Sequence, residues 1–206
     1  MSSNRARISV FSQMLLSMAL VSCSISPYEH PPISQNGYVN VVVEIPAGTN
    51  LKYEFNAKAE EFEVEIVDGK KRTVNFLPYP GNYGFIPSTL MDKAKGGDGD
   101  ALDILVISES LSQGTVVEVI PVAVLQLSDQ GETDDKIIAV PADEALRTIN
   151  CITLNCIREK YPKALSIIQD WFSSYKGAGK MKFLGWSNEK VAISEIKKWS
   201  VSDEKK

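Results

Sequence analysis

The sequence has very little histidine and cysteine, which limits the chemistry open to it. Its 206 residues contain one histidine, His30, and three cysteines. A single histidine in a proline-rich stretch argues against a Ser-His-Asp or Cys-His catalytic system and excludes a histidine-rich zinc site. Basic residues are also fewer than acidic ones, 22 against 26. Because nucleic-acid binding depends on neutralising phosphates, we expect no nucleic-acid partner.

The sequence also lacks an apolar run long enough to span a membrane, but it begins with a shorter one. Arg5 and Arg7 precede the apolar residues 8–21, and the run is followed by Ser22 and Cys23. A spanning helix needs about 20 apolar residues, and this run is shorter and contains serines. A basic start, a short apolar core and small residues at the end are typical of a secretory signal peptide.

The end of that segment, Leu-Val-Ser-Cys, resembles a bacterial lipobox, in which the cysteine is lipidated and becomes the new N-terminus. Residues 24–36 contain three prolines that disfavour regular structure. We therefore expect an exported, membrane-anchored lipoprotein of the bacterial periplasm or cell surface. Its parts would be a signal peptide (1–22), a lipid-anchored tether (23–37), one domain (38–200) and a charged tail (201–206).

Within the domain, the apolar patterns change from strand-like to helical along the chain. Strands are predicted at residues 38–45, 51–55, 62–66, 73–76, 103–107, 115–127, 136–140 and 182–186. Helical spacing of apolar residues predicts helices around residues 164–172 and 188–199. Residues 78–87 are so rich in proline and glycine that we predict an irregular loop. Short strands followed by two helices predict an α+β fold, a small closed OB-like β-barrel with two C-terminal helices packed on it.

The most informative stretch is the glycine-rich turn before the strand at residues 103–107. It brings Asp98, Asp100 and Asp103 within six residues of one another. Clustered carboxylates repel, and hard cations that prefer oxygen ligands relieve the repulsion. A solvated acidic turn is the simpler interpretation of such a motif taken alone. An EF-hand loop fits poorly, because Leu102 and Asp103 stand where an oxygen ligand and a glycine are needed.

Further along, residues 129–136 form a second acidic loop that ends in a lysine. Two phenols, Tyr79 and Tyr83, lie in the predicted loop, and Tyr175 with Lys176 follows the first predicted helix. Carboxylates could hold cations, while phenols and ammonium groups suit phosphate oxygens. Each element alone is compatible with an ordinary surface, but together they indicate a phosphate site.

The order of these motifs resembles soluble family I inorganic pyrophosphatases. The similarity covers the chain from about residue 38 to residue 186. It includes V-V-V-E-I-P, K-Y-E, F-L-P-Y-P-G-N-Y-G-F-I-P, D-G-D-A-L-D, D-Q-G-E-T-D-D-K, S-Y-K-G and G-W.

The resemblance implies a role for each matching residue. Asp100 would be the base that activates water. The inferred metal ligands are Asp98, Asp103, Asp129 and Asp134. The inferred substrate contacts are Lys52, Arg72, Tyr83, Lys136, Tyr175 and Lys176. Supporting roles fall to Glu44, Glu54 and Tyr79.

Three departures from the family pattern stand out. Ala101 replaces a usual proline, and Gln130 stands where an acid is usual. The family's substrate arginine keeps a spacing that here falls on Lys71, with Arg72 one residue nearer to the loop. We choose Arg72, because a guanidinium fork matches phosphate better than an ammonium.

The resulting hypothesis is hydrolysis of inorganic pyrophosphate to two orthophosphates. Several Mg²⁺ ions, for which Mn²⁺ could substitute, would activate the water and neutralise the leaving phosphate. By resemblance, the protein would be a homo-oligomer, a hexamer in bacterial relatives. The alternative is a non-catalytic lipid-anchored barrel that binds metal, phosphate or a partner protein. Cys151 and Cys156 could form a disulfide or remain two buried thiols.

Overall fold

The computed structural model describes residues 26–56 and 58–201. The predicted signal peptide, the predicted lipidation site Cys23 and residues 202–206 of the tail lie outside the described residues. Eleven strands and three α-helices are found in the described part. They are β1 (Val39–Ile45), β2 (Tyr53–Asn56), β3 (Glu61–Val64), β4 (Ile66–Val67), β5 (Lys70–Lys71), β6 (Asn82–Phe85), β7 (Asp103–Val106), β8 (Val116–Asp129), β9 (Glu132–Thr133), β10 (Lys136–Pro141), α1 (Leu154–Lys160), α2 (Pro162–Ser174), β11 (Met181–Asn188) and α3 (Glu189–Trp199).

Five of these strands close into a barrel. The main sheet runs β1-β6-β7-β10-β8, and β8 pairs back with β1. The pair β7–β10 is parallel, whereas the other four pairs of the ring are antiparallel. Closure leaves these strands without an open edge. The predicted α+β fold with a closed OB-like barrel is therefore confirmed.

The long strand β8 and the helices join the barrel to the C-terminal part. Beyond its barrel partners, β8 pairs with β11 and β9. One buried cluster joins Leu125 of β8 to Trp171 and Phe172 of α2. Another joins Val41 of β1 to Trp199 of α3. The apolar stripes seen in the sequence thus pack α2 and α3 on the barrel strands. None of the helices described is long and apolar enough to span a membrane.

Two local predictions in the first half are wrong. Residues 78–87 are not wholly irregular, because β6 forms there between β1 and β7. Gly84 in this strand is required by packing, since a Cβ atom there would lie 1.9 Å from the carbonyl oxygen of Val42. The strand predicted at residues 73–76 is also absent from the described structure. The hairpin at Asp68-Gly69 closes earlier through β5, and Thr73 makes only an isolated bridge to Leu51.

The C-terminal half contains a helix that the sequence analysis did not separate, α1. Its N-cap is Thr153, whose side chain accepts a hydrogen bond from the backbone N–H of Cys156. Pro162 then begins α2, since proline suits the first helical position. Cys151 and Cys156 form a disulfide with a Cα–Cα distance of 5.5 Å. Because Cys151 lies in the turn before α1, the two cysteines do not share a helix and can be bridged.

Candidate active site

The acidic turn before β7 is held in shape by backbone contacts with Met91. The N–H of Met91 donates to the carbonyl of Asp100 at 2.7 Å, and the N–H of Gly99 donates to the carbonyl of Met91 at 2.8 Å. Gly97 passes so close to Met91 that an added Cβ would lie 2.3 Å from its backbone. A side chain at position 97 would therefore push the turn away, which explains why glycine is needed there.

The three aspartates of this turn differ in environment. Asp98 and Asp100 are exposed, and an Asp98 oxygen accepts a hydrogen bond from the N–H of Asp100 at 2.9 Å. Asp103 begins β7, between β6 and β10. Burial, together with the negative charges of Asp98 and Asp103, raises the pKa of Asp100 above its ordinary value. The turn therefore presents one carboxyl whose affinity for a proton is increased.

Lys136 connects Asp103 to the second acidic loop. It begins β10, which runs parallel to β7, so its side chain reaches the mouth beside Asp103. Its Nζ contacts the carboxylate of Asp103 and lies 2.6 Å from Oδ1 of Asp134. Burial alone would lower the pKa of Lys136, but the two carboxylates raise it. The lysine thus remains a buried cation between two anions.

Lys176 continues this chain of charges on the other side. Its Nζ lies 2.7 Å from Oδ2 of Asp129 and 3.4 Å from Oδ2 of Asp134. The second oxygen of Asp129, Oδ1, is buried and has no hydrogen-bond partner among the described residues. The two lysines and three aspartates therefore form one connected network with a spare carboxylate oxygen.

Two further cations are placed side by side by the backbone near β2. The N–H of Lys52 donates to the carbonyl of Arg72, and the N–H groups of Glu65 and Arg72 donate to the carbonyls of Lys52 and Glu65. The guanidinium of Arg72 lies 2.6 Å from Oε2 of Glu65. The Nζ of Lys52 lies 3.6 Å from Oε1 of Glu54 and 5.5 Å from the centre of the Tyr83 ring.

Aromatic rings line the region between these cations and the acidic network. Tyr79 lies 5.3 Å from Tyr83 and 4.6 Å from Trp171, measured between ring centres. Tyr175 stacks on Trp171 at 4.7 Å. Burial raises the pKa of Tyr79, Tyr83 and Tyr175 above the ordinary tyrosine value. These phenols stay protonated at neutral pH and can donate hydrogen bonds.

Glu44 is a buried carboxyl on β1, beside the mouth. Its Oε1 accepts a hydrogen bond from the N–H of Phe55 at 2.9 Å. Burial raises the pKa of Glu44 to about 7, with Lys52 and this hydrogen bond acting in the opposite direction. Glu44 therefore holds the start of β2 against β1, and its charge depends on pH near neutrality.

A cavity of about 560 Å³ opens beside the acidic network. Its polar lining includes Arg72, Asp129, Tyr175, Lys176 and Lys180. Lys71 is exposed on β5 and is not among the lining residues. Asp98 and Asp100 lie outside this cavity.

The donor chemistry of the site suits hard divalent cations. All candidate ligands are carboxylates, and Asp129 has an oxygen that is buried without a partner. Within residues 26–56 and 58–201, however, no three acidic, histidine or cysteine side chains are gathered as one ligand set. The carboxylates of Asp103, Asp129 and Asp134 are paired instead with the ammonium groups of Lys136 and Lys176. Although burial opposes it, Lys136 lowers the pKa of Asp103, and Lys176 lowers the pKa of Asp129, which favours the anionic form that cation binding requires.

The sequence analysis missed two charged residues at this site. Glu65 holds the Arg72 guanidinium, and Lys180 lines the cavity. In the sequence, Glu65 is one acid of an alternating strand, and Lys180 ends a glycine-containing turn. Neither pattern distinguishes a site residue from a surface residue, so only the fold could reveal them.

A closed β-barrel with carboxylates, cations and phenols at one mouth defines a protein that handles phosphate anions with the help of divalent cations. The sequence model of one family, described as inorganic pyrophosphatase, matches residues 41–202. This chain belongs to the inorganic pyrophosphatase family.

Individual relatives agree with this assignment. The inorganic pyrophosphatase of Neisseria meningitidis serogroup B is 35% identical over 169 residues, which cover 80% of this chain and 90% of the relative. That of Saccharolobus solfataricus is 34% identical over 164 residues, 78% of this chain and 88% of the relative. The crystal structure of the inorganic pyrophosphatase from Thermus thermophilus superposes with a TM-score of 0.69 at 32% identity, covering 84% of this chain and 95% of that one.

Proposed function

We propose that this protein hydrolyses inorganic pyrophosphate to two orthophosphates, with divalent metal ions as cofactors. The observation that carries the proposal is the connected network of Asp103, Lys136, Asp134, Lys176 and Asp129 beside the cavity that Arg72 lines. Such a site offers carboxylates to cations and cations to a polyanion. The named relatives and the family match support the same activity.

The cationic and phenolic side chains would hold the substrate. The guanidinium of Arg72 can bind two phosphate oxygens at once. Lys52, Lys136 and Lys176 supply ammonium groups, and Tyr83 and Tyr175 supply neutral donors. Placing these donors where negative charge accumulates lowers the barrier to attack. Glu65 fixes the guanidinium of Arg72, so less conformational entropy of this side chain is lost when substrate binds.

Asp100 would accept the proton of the attacking water. It is exposed at the mouth, so water can reach it, and its raised pKa favours proton uptake. Asp98, Asp103, Asp129 and Asp134 would hold the metal ions, with Mg²⁺ as the proposed ion and Mn²⁺ as a substitute. When bound, these ions supply charge neutralisation and activation of the water.

Location and assembly are the second part of the proposal. The predicted signal peptide and the lipobox-like end at Cys23 support export and lipid anchoring in a bacterial envelope. The Cys151–Cys156 disulfide supports an oxidising compartment, because such bonds persist mainly outside the cytosol. A homo-oligomer, a hexamer by family resemblance, is also proposed.

The activity is tested by measuring phosphate release from pyrophosphate with Mg²⁺ and with a chelator. Release that requires Mg²⁺ supports the enzyme. If the folded protein releases no phosphate at any Mg²⁺ concentration, the non-catalytic alternative becomes the better account. Inorganic phosphate binding, measured by calorimetry, would then identify a binding protein.

The residue roles are tested by three isosteric variants. Asp103→Asn and Asp134→Asn should raise the Mg²⁺ concentration needed for activity, and excess Mg²⁺ should recover part of it. Asp100→Asn should lower turnover by about 10²–10⁴, the contribution of a general base, with little recovery at high Mg²⁺. Asp170→Asn, at an exposed position of α2, is the matched control and should behave like the wild type. Equal recovery of all three site variants by Mg²⁺ would contradict the distinction between base and ligands.

A further inference from the structure

The segment before the first barrel strand is packed on the barrel. We call residues 26–37 the N-terminal arm; they precede the region that the family model matches. The carbonyl of Tyr28 accepts a hydrogen bond from the N–H of Ser88 at 3.3 Å. The buried Asn40 binds the arm twice, from its N–H to the carbonyl of Pro32 at 3.0 Å and from its side chain to the carbonyl of Pro31 at 2.9 Å. These bonds give the arm a defined path on the domain.

The arm places one aromatic ring, that of Tyr28, against the catalytic side of the barrel. The ring centre lies 5.0 Å from that of Phe85 and 6.2 Å from that of Phe55. Tyr28 and Phe55 pack against a buried cluster formed by Val42, Phe85 and Ala101. Tyr28 is therefore part of a small apolar core of its own, distinct from the two larger clusters.

Three residues of this small core, Ala101, Phe85 and Phe55, are linked to site carboxylates. Ala101 follows Asp100 directly. Phe85 is the register partner of Asp103 in the β6–β7 pair. Phe55 follows Glu54, and its N–H donates to Glu44. Burial and the charges of Asp100 and Glu44 raise the pKa of Tyr28.

Within the acidic turn, Ala101 is a residue whose backbone N–H is not held by a hydrogen bond among the described residues. The hydrogen bonds of the turn to Met91 involve Gly99 and the carbonyl of Asp100. Alanine and glycine also leave the backbone freer than bulkier residues would. Leu102, the next residue, is held at both backbone groups: its N–H donates to the hydroxyl of Thr89 at 3.0 Å, and its carbonyl accepts from the N–H of Ile86 at 3.0 Å. Packing in the cluster of Tyr28 therefore adds a restraint at Ala101, between these bonds and those to Met91.

We propose that Tyr28 is a positioning residue for the acidic turn, holding Asp100 and Asp103 at the mouth through its packing on Phe85 and on the cluster that Phe85 forms with Val42 and Ala101. The expected effect of Tyr28 on turnover rests on the proposed function. It assigns the N-terminal arm a role in metal binding and turnover, in addition to that of a connection to the membrane. The role depends on the ring and not on the hydroxyl, so phenylalanine should replace tyrosine.

The test compares Tyr28→Ala and Tyr28→Phe with the wild type in the full chain. Three quantities are measured: the Mg²⁺ concentration for half-maximal activity, the Kd for Mn²⁺ by calorimetry, and hydrogen exchange of the amides of residues 98–102. Tyr28→Ala should raise both metal constants, the Mg²⁺ concentration for half-maximal activity and the Kd for Mn²⁺, about tenfold each. This is the lower end of the loss in metal affinity that follows removal of a contact supporting a ligand. Tyr28→Ala should also speed exchange in the turn. Tyr28→Phe should match the wild type in all three.

Tyr38→Ala is the matched control, since Tyr38 is the aromatic residue directly after the arm and is 38% exposed. It should leave the metal constants unchanged. If Tyr28→Ala unfolds the protein, Tyr28→Leu replaces it, because leucine keeps more apolar volume. Tyr28→Leu should change metal binding and hydrogen exchange in the same direction but by less. Wild-type metal constants in folded Tyr28→Ala or Tyr28→Leu would overturn the proposal. So would a Tyr28→Phe variant as defective as Tyr28→Ala, because the hydroxyl would then act directly.

The Mn²⁺ Kd and the exchange rates separate this proposal from the proposed function. If the wild type binds Mn²⁺ but releases no phosphate, the function fails while the role of Tyr28 is still measured. If the wild type is active and the Tyr28 variants bind Mn²⁺ as it does, only the inference fails.

Discussion

At the scale of single residues, the site works by placing opposite charges where water is scarce. Lys136 is 2% exposed and contacts Asp103 and Asp134, so its charge is retained only because both carboxylates face it. Removing one partner from such a group leaves an uncompensated buried charge, which is costly. Arg72 and Glu44 are less obvious members of the site, and each leads to a prediction.

The first prediction concerns the choice between Arg72 and Lys71. Arg72 lines the cavity and is held by Glu65, whereas Lys71 is exposed on β5. Arg72→Ala should lower kcat/KM about ten- to a hundredfold, since a charge-assisted bond is worth roughly 1.5–3 kcal/mol. Lys71→Ala is the control and should have little effect. A larger loss in Lys71→Ala would show that Lys71 is the substrate contact.

The second prediction uses the pKa of Glu44, which is about 7 in the folded state and 4.5 ordinarily. The folded state binds this proton more tightly than the unfolded chain. The contribution of protonated Glu44 to the free energy of unfolding is fully present below pH 4.5 and is lost as the pH rises through about 7. Glu44→Gln keeps an acceptor for the N–H of Phe55 and removes this loss.

The measurement is urea unfolding of both proteins at about pH 5 and about pH 8, in the presence of a chelator. Between these values the wild type should lose on the order of 2 kcal/mol more stability than Glu44→Gln. Parallel losses in the two proteins would mean that Glu44 titrates at its ordinary pKa.

At the scale of secondary-structure elements, strand order decides which motifs meet. The parallel pairing of β7 with β10 joins the first acidic turn to the second acidic loop. The end of α2 then brings Lys176 to Asp129, at the end of β8. Between β10 and α2 in the chain, a disulfide joins the turn before α1 to the first turn of that helix.

The third prediction concerns that disulfide. It closes a short loop with a sequence separation of 5, so its removal should cost about 2 kcal/mol of unfolding free energy. The double variant Cys151→Ser, Cys156→Ser should therefore unfold at lower urea, while kcat stays unchanged because the bond is not part of the site. Reduction of the wild type should have the same effect. A wild type whose stability is insensitive to reductant would show that the bridge does not form in solution.

At the scale of the whole molecule, the barrel carries the site at one mouth and the N-terminal arm along the same side. The arm begins only a few residues after Cys23. A lipid on Cys23 would therefore hold the catalytic domain close to the membrane surface.

The fourth prediction is that Cys23 is lipidated in the native bacterial host. Mass spectrometry of the mature N-terminus should show a cysteine with a diacylglyceryl-type adduct. One acyl chain anchors weakly, while two or more anchor stably. Cys23→Ser should release or mis-process the protein and leave the activity of the domain unchanged. A mature chain that begins elsewhere and has no lipid would contradict the prediction.

The sequence by itself determined the family and the barrel class, and it predicted the residues of the candidate site. The motifs are local, and each contains its acids, lysines or tyrosines within a few residues, so their order could be read without the fold. Strands β1, β7, β8 and β10 and helices α2 and α3 were also predicted, because their apolar residues repeat at strand or helix spacing.

Only the tertiary structure decided matters that depend on distance between remote segments. It places Arg72, not Lys71, beside the cavity and pairs it with Glu65. It forms β6 in a glycine-rich stretch, because Gly84 must pass close to β1. It also packs Tyr28 on the buried cluster that contains Ala101, more than seventy residues further along the chain. Such contacts leave no periodic trace in the sequence, since they arise from chain closure into the barrel.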